Sequence, residues 1–125
     1  MRILLVEDDE ANLDLFTDVL DAAGHSVVVE RDGINGRTRA LQEPFDLIIL
    51  DIQLPRLEGD VLCRELREHG MRIPIIAISA NALPLQVEAG LAAGFDQYLT
   101  KPIGPAALRA AVAGYTSNDA QRPGA

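Results

Sequence analysis

Five residues spread over most of the chain have side chains that could together handle a phosphoryl group: Glu7, Asp8, Asp51, Ser79 and Lys101. Carboxylates that converge on one place repel one another, which raises at least one pKa unless a divalent cation lies among them. Mg²⁺ prefers hard oxygen ligands and keeps several waters, so it leaves room for phosphate oxygens. An Asp carboxylate can attack phosphorus, while a metal, a lysine ammonium and a serine hydroxyl bind the transferring group. The predicted chemistry is phosphoryl transfer to a carboxylate.

These residues can meet only if the fold brings them to one edge, and the apolar pattern predicts such a fold. Residues 45–51 contain four consecutive large aliphatic side chains between Pro44 and Pro55, which indicates a parallel strand covered on both faces. Four more strands are predicted at residues 3–6, 26–29, 73–79 and 97–99. Helices are predicted after the first strand and at residues 33–43, 59–70, 81–93 and 105–115, with Pro84 interrupting the fourth helix early.

The first helix is predicted from a broad apolar stripe. We expect Asp9 to cap its amino end and Gly24 to stop it, since these residue types favour those positions. The residues expected to face the core are Leu15, Phe16, Val19, Leu20 and Ala23.

Five alternating strands and helices predict an α/β fold with a parallel sheet and helices on both faces. The carboxyl ends of all strands then share one edge, where ligands bind in open α/β sheets. The acid pair, Asp51, Ser79 and Lys101 follow or end four different strands. Each signal is weak alone, but together they form a specific constellation at that edge.

Composition limits the function further. The chain has 125 residues, 48% of them hydrophobic, which predicts a single domain with one respectable core. Its net charge of −8 disfavours direct binding of nucleic acid or an anionic membrane. With no leader pattern and no apolar stretch of membrane-spanning length, we expect a cytoplasmic protein. Cys63 is the single cysteine, so neither an intramolecular disulfide nor a multi-cysteine zinc site is possible.

Four motifs resemble those of the receiver domain of the two-component response-regulator family. They are LLVEDD at residues 4–9, LIILDIQLP at 47–55, IIAISAN at 75–81 and YLTKPI at 98–103. The resemblance covers about residues 1–115. It implies a flavodoxin-like, doubly wound sheet with strand order 2-1-3-4-5 and five helices.

The resemblance also implies a role for each site residue. Asp51 is expected to be the phosphoacceptor, with Ser79 and Lys101 binding the phosphoryl group. Mg²⁺ is expected to be held by Glu7, Asp8, Asp51 and the backbone carbonyl of Gln53. Because Glu7 stands where an aspartate is often found, we expect it to contact the metal through water, with Asp8 as a direct ligand.

The implied function is a signalling switch that is phosphorylated from a histidine kinase or a histidine phosphotransfer protein, and not a classical enzyme. A haloacid dehalogenase type of phosphatase is an alternative that also forms an aspartyl phosphate. That reaction needs a second Asp two residues on as general acid, and Gln53 occupies this position. A pseudo-receiver that works without phosphorylation is the other alternative, although the acceptor, acid pair and lysine are all present. The role of Asp9 stays open between a site residue and the favoured helix cap.

Three surface predictions complete the hypothesis. A phosphohistidine donor is expected to dock on the start of the first helix, at Ala11, Asn12 and Leu15, and on the loop after the fifth strand. In this family an aromatic residue at the position of Tyr98 changes rotamer as the strand-four hydroxyl, here Ser79, moves toward the phosphoryl group. The face expected to change in response, and to bind an unknown target protein or a second copy in a phosphorylation-linked dimer, contains Leu83, Leu85, Leu91, Leu99 and Ala106.

The carboxyl terminus is predicted to be a tail. Residues 116–125 carry no large apolar side chain, so we expect disorder there after a receiver domain of residues 1–115. Signal output would then pass through protein contacts and not through an attached effector domain. Both a free-standing receiver and the receiver of a hybrid kinase fit this organisation.

Overall fold

Strands and helices alternate five times in the structure, a computed structural model that describes residues 1–80 and 83–121. In chain order the elements are β1 Arg2–Val6, α1 Glu10–Ala22, β2 Ser26–Glu30, α2 Gly33–Gln42, β3 Leu47–Asp51, α3 Gly59–Glu68, β4 Ile75–Ser79, α4 Pro84–Ala93, β5 Gln97–Thr100 and α5 Pro105–Gln121. The predicted alternation is therefore confirmed, with boundaries that differ by a few residues.

All five strands pair in parallel, in the order β2-β1-β3-β4-β5. This order confirms the flavodoxin-like α/β fold. Every residue of β3 and of β4 is buried, which explains why these segments are continuous apolar runs without alternation. Because the strands are parallel, their carboxyl ends lie along one edge of the sheet.

Two apolar clusters cover the two faces of the sheet. Successive side chains of a strand point to opposite faces. Leu5 of β1 therefore packs in a cluster with Phe16 of α1 and Leu108 of α5. Its neighbour Leu4 packs in the other cluster with Leu62 of α3. Because both faces of the sheet are covered by these clusters, the strands cannot rotate, and the polar residues at their ends keep fixed directions.

The core face of α1 differs from the prediction at three positions, since Leu13 is buried without having been predicted and Leu15 and Ala23 are exposed. The buried residues of this helix are Leu13, Phe16, Val19 and Leu20. Leu15 is 37% exposed, because at 3.6 residues per turn it lies about 100° around the helix from Phe16. Ala23 is also exposed, since the helix ends at Ala22 and Ala23 is its C-cap. The stop predicted at Gly24 is confirmed by its left-handed φ of 90°.

The last two helices also depart from the sequence prediction. Pro84 is the first residue of α4 and does not interrupt it, because proline fits the first turn, where no backbone donor is required. Residues 81 and 82, with which the predicted helix began, lie outside the described residues. The helix α5 continues to Gln121, beyond its predicted end at residue 115. No proline or glycine interrupts residues 116–121, and the rest of the predicted tail, residues 122–125, lies outside the described residues.

No helix in the described part of the chain has both the length and the apolar character needed to cross a membrane.

Candidate functional site

The five residues predicted to act together do meet at the carboxyl edge of the sheet. Asp51 and Ser79 are the last residues of β3 and β4. Glu7 and Asp8 directly follow β1, and Lys101 directly follows β5. The parallel pairing of these four strands is what brings together residues that are up to 94 positions apart (101 − 7).

Three carboxylates form the negative part of the site. Glu7, Asp8 and Asp51 each offer an oxygen, and these oxygens all lie within 4.8 Å of one another. Glu7 and Asp51 are buried, with 1% and 4% of their surface exposed, whereas Asp8 is exposed. A buried cluster of hard oxygen donors with one open side fits a divalent cation such as Mg²⁺, which can keep waters on that open side.

Lys101 supplies one positive charge inside this cluster. Its Nζ lies 2.5 Å from Asp51 Oδ2 and 3.1 Å from Glu7 Oε1. The backbone N–H of Lys101 donates to the carbonyl oxygen of Ser79, at 2.7 Å, which ties its position to the end of β4. One ammonium against three carboxylates leaves excess negative charge, so the site still favours a cation.

Glu7 and Lys101 both have pKa values that are shifted from their ordinary values. Burial raises the pKa of Glu7 to about 7, and the hydrogen bond and charge repulsion from Asp51 act in the same direction. Burial alone would lower the pKa of Lys101, but its hydrogen bonds to Asp51 and Glu7 outweigh that effect and raise it. Lys101 is therefore a fixed cation in the site, while the raised pKa of Glu7 disfavours the ionised form of that one carboxylate.

The loop after β3 holds the predicted phosphoacceptor from the other side. Asp51 Oδ1 accepts a hydrogen bond from the backbone N–H of Gln53, at 2.8 Å. The first residue of α3, Gly59, packs against the Asp51 backbone and donates its N–H to the carbonyl oxygen of Ile52, at 2.8 Å. The two carboxylate oxygens of Asp51 are thus anchored separately, one by this loop and one by Lys101.

Ser79 and Tyr98, the predicted switch pair, line a common cavity. The cavity has a volume of about 280 Å³ and lies beside the loop after β3, bounded also by Gln53, Asp60 and Gly90. Ser79 is buried, and Tyr98 is half-buried with its ring against α4. The two side chains therefore share a space through which a movement of one could affect the other.

Two residues near the acid pair have contacts that resolve or extend the sequence prediction. The carboxylate of Asp9 accepts the backbone N–H of Asn12 at 2.9 Å, so Asp9 is the N-cap of α1, as favoured. The side-chain amide of Asn12 donates to Glu7 Oε1 at 3.0 Å, a contact that the sequence prediction missed. The only available signal was an amide one turn into a helix that starts beside the acid pair.

Comparison with known proteins identifies the family. The model of the response regulator receiver domain matches residues 3–113. The alkaline phosphatase synthesis transcriptional regulatory protein PhoP of Bacillus subtilis is 35% identical over 89% of this chain, which spans 46% of PhoP. The two-component response regulator ORR41 of rice, Oryza sativa subsp. japonica, is 38% identical over 82% of this chain and 84% of ORR41. The chain thus spans less than half of PhoP and most of ORR41.

A solved structure shows the same arrangement at the level of the fold. The receiver domain of the sensor histidine kinase PA1611 from Pseudomonas aeruginosa is 38% identical, with a TM-score of 0.84 over 93% of this chain and 97% of that domain. That domain was solved with a magnesium ion coordinated in its active site cleft. Our chain belongs to the response regulator receiver domain family and is a phospho-accepting signalling switch of the two-component type.

Proposed function

We propose that Asp51 is the residue that accepts the phosphoryl group, from a phosphohistidine on a histidine kinase or phosphotransfer protein. The observation that carries this proposal is the buried Asp51 carboxylate, 2.5 Å from Lys101 Nζ and within a cluster of three acids. Among the described residues, the cluster of acids that could hold a cation consists of Glu7, Asp8 and Asp51. Lys101, the only lysine in the sequence, pairs with two of these three acids. Asp51 alone ends the central strand at the ligand-binding edge.

The reaction transfers a phosphoryl group between two residues. An oxygen of the Asp51 carboxylate forms a bond to phosphorus while the bond from phosphorus to the donor imidazole nitrogen breaks. The imidazole leaves with that electron pair and takes a proton from solvent. Lys101 Nζ, already paired with Asp51, balances negative charge on the transferring group, and the Ser79 hydroxyl donates to one of its oxygens.

The acid cluster is proposed to hold Mg²⁺. Asp8 and Asp51 would be direct ligands together with the backbone carbonyl of Gln53, and Glu7 would act through water. When bound, Mg²⁺ supplies positive charge against the phosphoryl oxygens. This cluster of acids is exposed on the Asp8 side, where waters and phosphate oxygens can enter.

Signal output is proposed to run through Ser79 and Tyr98. Phosphorylation adds close to two negative charges and three acceptor oxygens, which would draw the Ser79 hydroxyl toward Asp51. The ring of Tyr98 would then move within the shared cavity and change the face of α4, β5 and α5. Leu83 and Leu91 of this face are 62% and 48% exposed, so it offers apolar surface to a target or a second copy. The side chain of Leu85, also predicted there, lies outside the described residues.

The partner on the input side is proposed to contact α1. Ala11 and Leu15 are both exposed near the amino end of this helix, which starts beside the site.

Receiver domains are signalling switches and generally not classical enzymes, and we propose that the only reactions here are self-phosphorylation and self-dephosphorylation. We also expect the cytoplasm as the compartment, which imaging of a tagged chain would test.

Both alternative functions lose support. The phosphatase needs a proton donor two residues after Asp51, and Gln53 contacts Asp51 through its backbone N–H and has no acidic side chain. A pseudo-receiver would lack part of the site, whereas this sequence carries the acids, the lysine and the serine that the proposal requires.

Labelling with a small phosphodonor tests the proposal. The chain is incubated with acetyl phosphate, either with Mg²⁺ or with excess chelator, and the modified residue is mapped by mass spectrometry. We expect label on Asp51 only with Mg²⁺, and none in Asp51→Asn. Asp46→Asn is the matched control, because Asp46 lies just before the same strand, at the opposite edge of the sheet. Label on another residue, or equal labelling in chelator, would refute the assignment.

A further inference from the structure

Two helices of the chain start with the same cap, an aspartate followed three residues later by an asparagine. Asp9 precedes α1 in the sequence DEAN, and Asp32 precedes α2 in the sequence DGIN. Each aspartate is the N-cap and accepts the backbone N–H of the asparagine three residues on, at 2.9 Å from Asn12 and 2.8 Å from Asn35. In both helices the cap bond uses only the backbone of the asparagine, so its side-chain amide is not needed for the cap.

The two asparagine amides nevertheless go to different partners. Asn35 Nδ2 donates back to its own cap, to Asp32 Oδ2 at 2.8 Å. Asn12 Nδ2 turns away from its cap and donates to Glu7 Oε1 at 3.0 Å. Since both asparagines lie three residues after an aspartate cap, the different acceptor of the Asn12 amide is explained by the position of Glu7 at the end of β1.

The Glu7 carboxylate is held at both of its oxygens. Oε2 accepts the backbone N–H groups of Asp8 and Asp9, at 3.0 Å and 3.4 Å. Oε1 accepts the amide of Asn12 and also lies 3.1 Å from Lys101 Nζ. Of these partners, Lys101 also pairs with Asp51 and carries the charge that the phosphoryl group requires. Asn12 contacts Oε1 through a neutral amide. This hydrogen bond can therefore hold Glu7 even if Lys101 moves toward a phosphoryl group.

We propose that Asn12 is a positioning residue, whose side-chain amide fixes the Glu7 carboxylate in the orientation that serves the cation site. The inference rests on the proposed function, because the orientation of Glu7 affects Mg²⁺ binding only if Glu7 belongs to the cation site. Removing a group that hydrogen-bonds to a direct metal ligand commonly changes metal affinity by about 10- to 100-fold. Glu7 would reach the cation through water, so Asn12 lies one step farther out and we expect the lower end of this range. Glutamate has one more rotatable bond than aspartate, so a long carboxylate at this position gains more from such a restraint.

The proposal changes how the first turn of α1 is understood. The sequence prediction placed Asn12 with Ala11 and Leu15 on a docking surface for the phosphodonor protein. Asn12 is half-buried, and this degree of exposure is compatible with both roles. An experiment is therefore needed to separate them. A docking residue affects transfer from a protein donor alone. A residue that positions Glu7 affects Mg²⁺ binding even when no partner is present.

The test is the Mg²⁺ affinity of the non-phosphorylated chain, measured by amide chemical shifts during a MgCl₂ titration. We expect Asn12→Ala to weaken binding by about tenfold, with no change in the charge of the site. Asn35→Ala, the matched control, removes the same amide from the same helix position away from the site, and its affinity should stay within about twofold of wild type. Both variants keep the backbone N–H that makes the cap bond, so both should fold.

A second background separates positioning from a general effect on the fold. In Glu7→Asp the shorter carboxylate withdraws from Asn12, so adding Asn12→Ala should change Mg²⁺ affinity by no more than about twofold. In metal-free protein, Asn12→Ala should also move the amide resonances of Asp8 and Asp9, which donate to Glu7 Oε2, while Asn35→Ala should not.

Three outcomes would overturn the inference. Unchanged Mg²⁺ affinity in Asn12→Ala would do so, and so would an equal loss in the Glu7→Asp background. A wild-type chain that binds no Mg²⁺ would overturn the proposed metal site and this inference together. In the first two cases wild-type binding and labelling of Asp51 would remain, and only the role of Asn12 would fail.

Discussion

Gly59 packs so closely against Asp51 that a β-carbon at position 59 would lie 2.2 Å from the Asp51 carbonyl oxygen. It would also lie 2.9 Å from the Ile52 Cα, and both atoms belong to the backbone. Gly59→Ala must therefore displace the backbone of Asp51, the proposed phosphoacceptor, and of Ile52. We expect a loss of about 1–3 kcal/mol in the free energy of unfolding, measured by urea denaturation, together with slower labelling by acetyl phosphate.

Gly114→Ala is the control for this prediction. Gly114 lies in α5, and a β-carbon there meets no atom within 4 Å. Alanine is the better helix former, so this variant should gain about 0.5–1 kcal/mol and label normally. Wild-type stability and labelling in Gly59→Ala would contradict the close approach.

Lys101→Ala should separate metal binding from phosphorylation. The substitution removes a positive charge that lies 2.5 Å from Asp51 Oδ2, so the repulsion it exerts on a bound cation disappears. The Mg²⁺ affinity of Lys101→Ala, measured by titration, should be equal to or higher than that of wild type. Labelling by acetyl phosphate should fall by about 10²-fold, because the ammonium no longer balances the transferring group. Weaker Mg²⁺ binding with normal labelling would reverse the assigned roles.

Much of the fold could be predicted because its signals are local. The aliphatic run of Leu47–Leu50 identified the central strand, and Asp51 at its end identified the edge where the site lies. The order of the strands was a different matter. Alternation predicts a parallel sheet but not which strands are neighbours, so the order 2-1-3-4-5 came from the family resemblance and not from periodicity.

The errors arose where packing between elements decides. Leu13 and Leu15 are equally apolar, and only the angle at which α1 meets the sheet buries the first and exposes the second. The contact from Asn12 to Glu7 joins a helix start to a strand end, and no local pattern reports where a side-chain amide will find its acceptor. The polar residues at strand ends were predictable as a group, but their hydrogen bonds were not.

Ala11 and Leu15 provide a test of the input surface that avoids Asn12. Both are exposed on α1 near the site, so a glutamate at either position should hinder contact with a phosphohistidine protein. For a histidine kinase that phosphorylates the wild-type chain, we expect Leu15→Glu to slow transfer by about tenfold or more. Labelling by acetyl phosphate should not change, because this small donor needs no docking surface.

Leu41→Glu is the matched control for docking. Leu41 is 44% exposed on α2, similar to Leu15, and belongs to another helix. Its substitution should leave transfer from the kinase at the wild-type rate. Equal transfer to Leu15→Glu and Leu41→Glu would show that the donor docks elsewhere.

In the proposed switch the ring of Tyr98 is the part that moves, and its neighbour Gly90 offers a way to disturb it. A β-carbon at position 90 would lie 2.9 Å from Cδ2 and Cε2 of the Tyr98 ring, so Gly90→Ala must push the ring within the cavity that it shares with Ser79. In wild type, beryllofluoride with Mg²⁺ mimics the phosphoryl group and should shift amide resonances from Ser79 to Leu99, beyond the Asp51 pocket. Such a shift reports two states biased by the ligand.

In Gly90→Ala the Tyr98 ring resonances should move before beryllofluoride is added, and the further change on adding it should be smaller. Gly104→Ala is the control, since a β-carbon there meets no atom within 4 Å, and it should respond as wild type does. If beryllofluoride shifted only the Asp51 pocket in wild type, with Ser79 to Leu99 unmoved, the chain would carry phosphate without the proposed switch. The coupling requires Ser79 to respond first, because it ends the strand beside Asp51, and Tyr98 to follow through the shared space.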